Sequence, residues 1–381
     1  MSPSARRATG RPLCPIGMLA LAATFVTSCG DAASHRDAPR PHDGGITRPG
    51  VVLIAPRPRA GALAALPTEL KAHWCPAFDD HAPAMVQRLQ SLPDGPDTSA
   101  EPFALAVMED AGAALAGDRP AATRLARLLD RWARLVALRP VGPPDVNRNY
   151  ALDRALLPTL VAVGVLGADP ALAEGERERV VDWLGTLIRS RPRPAAASIT
   201  RRNNHHYLRG SVDAAWGALT GDAASFASGL SAYRDAIGDL RPDGSLPLET
   251  ARGPRALWYQ RHALASLVVI AEIAANQGID LYGYSVDGRN LHLAVRFLLD
   301  AIADPKLVQP YSGADSQDLS FLQRRGHHRN YMAWAEIYAA RFPGRIESAR
   351  LLRLVREADP DFRPMIDDYS GGNTTCLFAA P

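Results

Sequence analysis

From about residue 80 onward the chain repeats one pattern: apolar residues at three- and four-residue spacing, interrupted by short turn signals. The stretches Ala82–Leu92, Pro102–Ala116, Ala121–Leu138, Asp153–Leu166 and Glu174–Ser190 carry it. So do Tyr207–Leu219, Ala223–Gly238, Ala256–Gln277, Asn290–Ala303, His328–Arg341 and Ile346–Ala358. Turns such as Pro93-Asp94-Gly95, Gly117-Asp118-Arg119-Pro120 and Gly167-Ala168-Asp169-Pro170 separate the periods. Alternating β-branched runs are nearly absent. Short connections make successive helices neighbours, so the pattern predicts an all-α fold: a bundle, a superhelical array or a toroid of helical hairpins. No period of about 34 or 40 residues favours the common helical repeats.

The chain has 381 residues, 47% hydrophobic and 22% charged, which is globular composition with ample material for a core. Lys+Arg number 43 against 40 Asp+Glu. This near-neutral balance gives no electrostatic footprint for nucleic acid. Lys71 and Lys306 are the only lysines, so the positive charge is almost entirely arginine, the residue suited to carboxylate ligands.

The N-terminus reads differently. Arg6, Arg7 and Arg11 precede the apolar run Ile16–Val26, which is followed by Thr27-Ser28-Cys29-Gly30. A charged start, a short apolar stretch and a small-residue boundary predict an export signal over residues 1–28. The run is too short for a spanning helix of roughly 20 residues. Val26-Thr27-Ser28-Cys29 resembles the lipobox of bacterial lipoproteins. The resemblance implies lipidation at Cys29, membrane association only through that anchor, and a periplasmic, outer-membrane-anchored location. The Asp-, Pro- and Gly-rich residues that follow suggest a tether over 29–55, with the folded domain over 56–381. Cys75 and Cys376 remain in a disulfide-permissive compartment, and the sequence leaves open whether they bridge or stay as two buried thiols.

Three connections hold more polar chemistry than a turn needs: residues 201–207, 243–252 and 311–318. In Asn203-Asn204-His205-His206-Tyr207, amides and imidazoles offer neutral donors, acceptors and a base, although an asparagine there also serves as a helix N-cap. In Arg252-Gly253-Pro254-Arg255-Ala256-Leu257-Trp258-Tyr259 the arginine and tyrosine are two helical turns apart on one face, about 10 Å along the axis. Pro254 suits the first turn of that helix.

Asn203-Asn204-His205-His206-Tyr207 resembles the NNHxYW signature of the alginate lyase family. Asp243-Gly244-Ser245-Leu246-Pro247-Leu248-Glu249, followed by Arg252 and Tyr259, is similar to that family's DG-x-L-P-x-E motif with its later Arg and Tyr. The likeness continues through Ala275-Asn276-Gln277-Gly278-Ile279-Asp280 and Trp334–Pro343, and spans residues 60–378. The last residue of the signature is Leu208 here, which alters a sugar-stacking or packing contact and not the chemistry. The resemblance implies an incomplete α/α toroid with a central cleft, an acidic polysaccharide as partner, and no cofactor or metal. It also implies Asn204, His205, Arg252 and Tyr259 as catalytic residues, with Asn203, Tyr207, Glu249 and Arg255 around the substrate.

Elimination in a 4-linked uronate removes the C5 proton and expels O4. The adjacent carboxylate must be neutralised, a task for Asn204 and Arg252. In mannuronate the proton and O4 share a face, so one tyrosine, Tyr259, can act as base and then acid, provided that a cation such as Arg252 favours its phenolate. His205 would hold the site in register, help neutralise charge, or serve the opposite face in guluronate. Glucuronate differs from mannuronate only at C2, so a glucuronan lyase is an alternative, as is a non-catalytic lipoprotein that binds exopolysaccharide. Glu249, Asp243 and Asp318 could be assembled into a hydrolase pair, and His205, His206, His262, His327 and His328 into a metal site. No ligand spacing of a known metal motif supports the latter.

Overall fold

The computed structural model describes residues 45–78, 96–139, 146–167, 169–192, 194, 195, 197–323 and 329–380. The helix expected at Ala82–Leu92, the signal, Cys29 and His327-His328 lie outside these residues. Fifteen helices are described. They are α1 (Pro56–Ala64), α2 (Thr68–Trp74), α3 (Pro96–Leu115), α4 (Arg119–Arg134), α5 (Val146–Leu166), α6 (Glu174–Ser190), α7 (Asn204–Thr220) and α8 (Ala223–Asp239). Then come α9 (Pro247–Thr250), α10 (Ala256–Asn276), α11 (Leu291–Ala303), α12 (Gln309–Ser312), α13 (Trp334–Arg341), α14 (Ile346–Ala358) and α15 (Thr374–Phe378).

Packing sorts the long helices into two layers. Helices α3, α5, α7, α10 and α13 follow one another as an inner ring, and α4, α6, α8, α11 and α14 lie outside it. This is the α/α toroid. Composition explains the sorting. Helix α10 is apolar on nearly every face and buries residues from Ala256 to Ala274, whereas α4 buries one stripe (Leu125, Leu129, Trp132) and turns its arginines outward. Inner and outer helices approach closely where glycine permits. A Cβ on Gly210 of α7 would lie 2.5 Å from Ala232 of α8, and one on Gly229 would lie 2.6 Å from Ala214.

After α14 the chain runs back into the ring. Two short antiparallel strands, β1 (Ile366–Asp367) and β2 (Gly372–Asn373), pack with α15 against α3, α5 and α13. Cys376 of α15 is disulfide-bonded to Cys75, just past α2, with Cα atoms 5.1 Å apart. This resolves the alternative left open by the sequence.

Several boundaries differ from expectation: α3 starts at Pro96 and not Pro102, α5 at Val146 and not Asp153, and α13 at Trp334 and not His328. The domain starts earlier than residue 56: Val52, Leu53 and Ile54 are buried. Gln277 at the end of α10 accepts from the Thr47 and Arg48 amides and donates to the Val51 carbonyl, while Asn276 donates to the Leu53 carbonyl. The apolar stretch 51–54 is therefore a packed segment whose backbone is satisfied by side chains, so the tether expected through 55 ends before it. Helix α7 also begins at Asn204 rather than Tyr207, because Asn203 caps it: its side chain accepts the His205 amide at 3.1 Å.

Candidate active site

The cap at Asn203 fixes where the first turn of α7 points. Asn204 follows, and its backbone N–H donates to Glu249 Oε1 at 2.7 Å, which ties the start of α7 to α9. The Asn204 side-chain Nδ2 donates to the Tyr150 hydroxyl at 3.1 Å, while its Oδ1 is buried without a partner. Tyr150 lies in the first turns of α5, and its ring is 4.1 Å from that of His205. Burial, then the nearby Arg252 guanidinium, pushes the His205 pKa down to about 4, so its imidazole is neutral at ordinary pH.

The second half of the site follows α9. Asp243 shapes the loop before it, accepting from Ser245 and from the Tyr311 hydroxyl at 2.7 Å. Gln260 of α10 clamps the same loop by accepting the Leu246 amide and donating to the Gly244 carbonyl. Arg252 donates through Nε to the Leu248 carbonyl, and its guanidinium carbon lies 4.7 Å from the centre of the Tyr259 ring. Arg255 lies 5.3 Å from the same ring and is exposed. The third polar loop braces this segment: Gln317 accepts the Leu257 amide and the Asp318 amide donates to the Pro254 carbonyl.

Tyr259 is 5.9 Å from His262, which is 6.3 Å from Tyr150. The four residues expected to be catalytic come together: Asn204 and His205 at the start of α7 lie against Tyr150, Arg252 is near His205, and Arg252 packs on Tyr259 of α10. Three of the expected substrate contacts do not. Asn203 is 1% exposed and spends its side chain on the cap. Tyr207 is 2% exposed, with its hydroxyl donating to the Arg202 carbonyl. Glu249 is fully buried, and burial raises its pKa to about 7 against the lowering effects of the Asn204 amide and Arg252. These are supports and not contacts, because a side chain needs surface to meet a polymer. Arg255 alone of that group has the surface. Leu208 is fully buried, so the family tryptophan position is a packing position in this chain. His206 points outward to Asp235 at 3.1 Å.

Several neighbours of this group had no catalytic or binding role in the sequence reading, His262 figuring there only in the unsupported metal set. His262 is buried with both ring nitrogens unpartnered, and burial holds its pKa well below the usual range. Tyr369 from the C-terminal segment lies 4.3 Å from His262, and its hydroxyl accepts from Tyr150; burial pushes its pKa up to about 12. Arg154 and Arg329 sit beside Tyr369 and Tyr331 at 5.1 and 5.2 Å. The signal for this group is the polar run Asp367-Asp368-Tyr369-Ser370-Gly371-Gly372-Asn373 in an otherwise helical, apolar chain.

The helical toroid thus gathers an amide, a neutral imidazole, a guanidinium and a phenol. Comparison with known proteins identifies the family. The profile of the family described as Alginate lyase matches residues 98–308, more than half of the chain, and the chain belongs to that family. A polysaccharide lyase of Stenotrophomonas maltophilia is 35% identical over 198 residues, 51% of this chain and 54% of that protein. An alginate lyase of Pseudomonas aeruginosa is 28% identical over 264 residues, 66% of each chain. The chain therefore spans about half to two thirds of the length of these curated relatives. Among solved structures, a His-to-Ala variant of alginate lyase A1-III complexed with tetrasaccharide superposes with a TM-score of 0.75 at 27% identity. It covers 90% of this chain and 99% of that one. The crystal structure of alginate lyase A1-III from Sphingomonas species A1 gives 0.73 at 28% identity, covering 90% of this chain and all of that one.

Proposed function

We propose that this protein cleaves 4-linked uronate polymers, mannuronate-rich alginate first, by β-elimination that leaves a 4,5-unsaturated uronate at the new non-reducing end. The observation that carries the reading is the Arg252–Tyr259 pair, 4.7 Å apart, on the same cleft as Asn204 and His205. The similar A1-III structures complexed with tetrasaccharide support a saccharide ligand for the cleft.

The chemistry follows from the groups. The uronate carboxylate resists further negative charge at C5, so elimination needs positive or hydrogen-bonding groups aimed at it. Arg252 supplies a fixed charge. Asn204 supplies an amide, held beside His205 by its donation to the Tyr150 hydroxyl. The neutral His205 adds a donor that brings no competing carboxylate. Tyr259, with Arg252 against its ring, takes the C5 proton and returns a proton to O4 as the bond breaks, which suits a sugar whose two groups share a face. Arg255 extends the positive wall toward solvent.

Export as a lipoprotein belongs to the same reading. It is supported by the residues 16–29 pattern and by the Cys75–Cys376 disulfide, a bond that persists in oxidising compartments.

The test presents polymannuronate, polyguluronate and glucuronan separately to the purified protein. Ultraviolet absorbance of the conjugated product and reducing ends are followed together. Both signals rising on polymannuronate is the expected result. Absorbance rising only on glucuronan would replace the sugar. Reducing ends rising without absorbance would replace elimination by hydrolysis. Binding without either signal would leave a polysaccharide-binding protein.

A further inference from the structure

Beyond the catalytic group, ring contacts lead past Tyr150 and Tyr369 to four charged side chains. Arg154 donates to Asp368 Oδ2 at 2.8 Å through Nη2, and Arg329 donates to Asp368 Oδ1 at 2.9 Å. Both arginines also face Glu101: Arg329 Nη1 pairs with its Oε1, and Arg154 Nη2 is 3.8 Å away. The four differ sharply in exposure. The side chains of Asp368 and Arg329 are 2% and 5% exposed and that of Arg154 is 22%, whereas that of Glu101 is 51%. Asp368 is the built-in counter-ion, and Glu101 is the one carboxylate that solvent can replace.

The surroundings favour an anion there. Arg329 Nε is buried without a partner, as are Nε and Nη2 of the fully buried Arg261, 5.9 Å from the Tyr369 ring. Asp367 adds little opposing charge. Burial and the adjacent Asp368 raise its pKa, and its Oδ1 makes no hydrogen bond, the Arg329 Nη2 being 3.6 Å away. Distance ties the cluster to the reaction. Arg154 packs on Tyr369, Tyr369 neighbours Tyr150 at 5.9 Å, and Tyr150 packs on His205. A polymer with one carboxylate per sugar, engaged at Arg252, carries further carboxylates on the neighbouring sugars.

We propose that Arg154 and Arg329 form a second carboxylate-binding subsite of the cleft, occupied in the free protein by Glu101, whose place a uronate carboxylate of the polymer takes. The inference rests on the uronate-polymer reading above. The exchange is like for like. A half-exposed ion pair contributes little, so releasing Glu101 costs little, and the incoming carboxylate recovers the same partners. Glu101 then acts as a selectivity device: a neutral polysaccharide has nothing with which to displace it.

The experiment measures binding directly. Polymannuronate and oligomannuronates of graded length are titrated into Tyr259→Phe protein, chosen to slow turnover, with and without Glu101→Gln. The proposal expects Glu101→Gln to tighten polymer binding about two- to five-fold, the range that removing an exposed ion-pair competitor allows. The gain disappears when Arg154→Gln is added, and it disappears on the shortest oligomers, which needs no further substitution. Unchanged or weaker binding in Glu101→Gln overturns it. So does a gain of equal size on every oligomer length or in the Arg154→Gln background, since that is a general charge effect. Absence of uronate binding in both proteins overturns it as well. Failure of the lyase reading shows separately, as binding by wild type without unsaturated product.

Discussion

Glu249→Gln isolates the most unusual charge in the site. The carboxyl is buried, accepts the Asn204 amide at 2.7 Å through Oε1, and leaves Oε2 unpartnered. Burial raises its pKa from 4.5 to about 7. The sign follows from linkage. The native state holds this proton more tightly than the unfolded chain does, so the stability associated with it is present at low pH. It is lost as pH rises toward and through about 7. A shift of this size corresponds to about 3 kcal/mol between the two limits. Glutamine keeps a carbonyl oxygen for the Asn204 amide and never ionises. The variant should therefore match wild type closely near pH 4 and exceed it by roughly 2–3 kcal/mol near pH 8.5, a difference of several degrees in melting midpoint for a domain this large. Thermal unfolding of both proteins across that range is the assay, and the gap between them cancels all other titrating groups. A gap that stays constant with pH would refute the reasoning, because the carboxyl would then not be held protonated by burial. Glu249→Ala is the contrasting case. It strands a buried helix N–H at Asn204, costs about 1–3 kcal/mol at every pH, and lowers turnover through misplacement of Asn204 and His205.

Three further outcomes follow from the same geometry. His205, with its pKa lowered to about 4, stays neutral through the range where an ordinary histidine titrates. Its ring resonances should shift near pH 4 and not near 6.5, and the stability it contributes should be lost as pH falls from 6.5 toward 4. Arg252→Gln should lower kcat by about 10²–10³ in steady-state assays on the polymer, with Arg252→Lys recovering part of the loss because charge returns without the fork geometry. Reducing the Cys75–Cys376 bond, which closes a loop with a sequence separation of 301, should cost about 6 kcal/mol by the chain-entropy account. Melting with and without reductant reads that cost.

Local pattern carried much of this protein. The period of three to four residues located the inner and outer helices, since each ring helix must bury a face, although the starts of α3, α5 and α13 fell six or seven residues away. Asn203 through His205 and the Arg252–Tyr259 spacing were legible because cap, loop and helix phase are local properties. What local pattern could not supply was accessibility. Tyr207 and Glu249 sit among polar residues in sequence, yet the toroid buries both, one beneath the first turn of α7 and the other between α7 and α9. Tyr150, His262, Tyr369, Arg154 and Arg329 come from α5, α10 and the two segments flanking α13 and α14. Only closure of the ring by the C-terminal strands brings them together. The buried segment at 51–54 was misjudged for a related reason: four apolar residues have no period, and their partners are Asn276 and Gln277, more than two hundred residues away.

The central claim is that Tyr259 moves the proton while Arg252, Asn204 and His205 hold the carboxylate. Tyr259→Phe tests it most directly, because the substitution removes one hydroxyl and keeps the ring on which Arg252 packs. Polymannuronate affinity and the rate of unsaturated-product formation are measured on the same preparation. Affinity within about two-fold of wild type with the rate reduced by at least 10²–10⁴ is the expected result. A variant that still forms the double bond at a rate near wild type would contradict the account and move the base to another residue of the cleft.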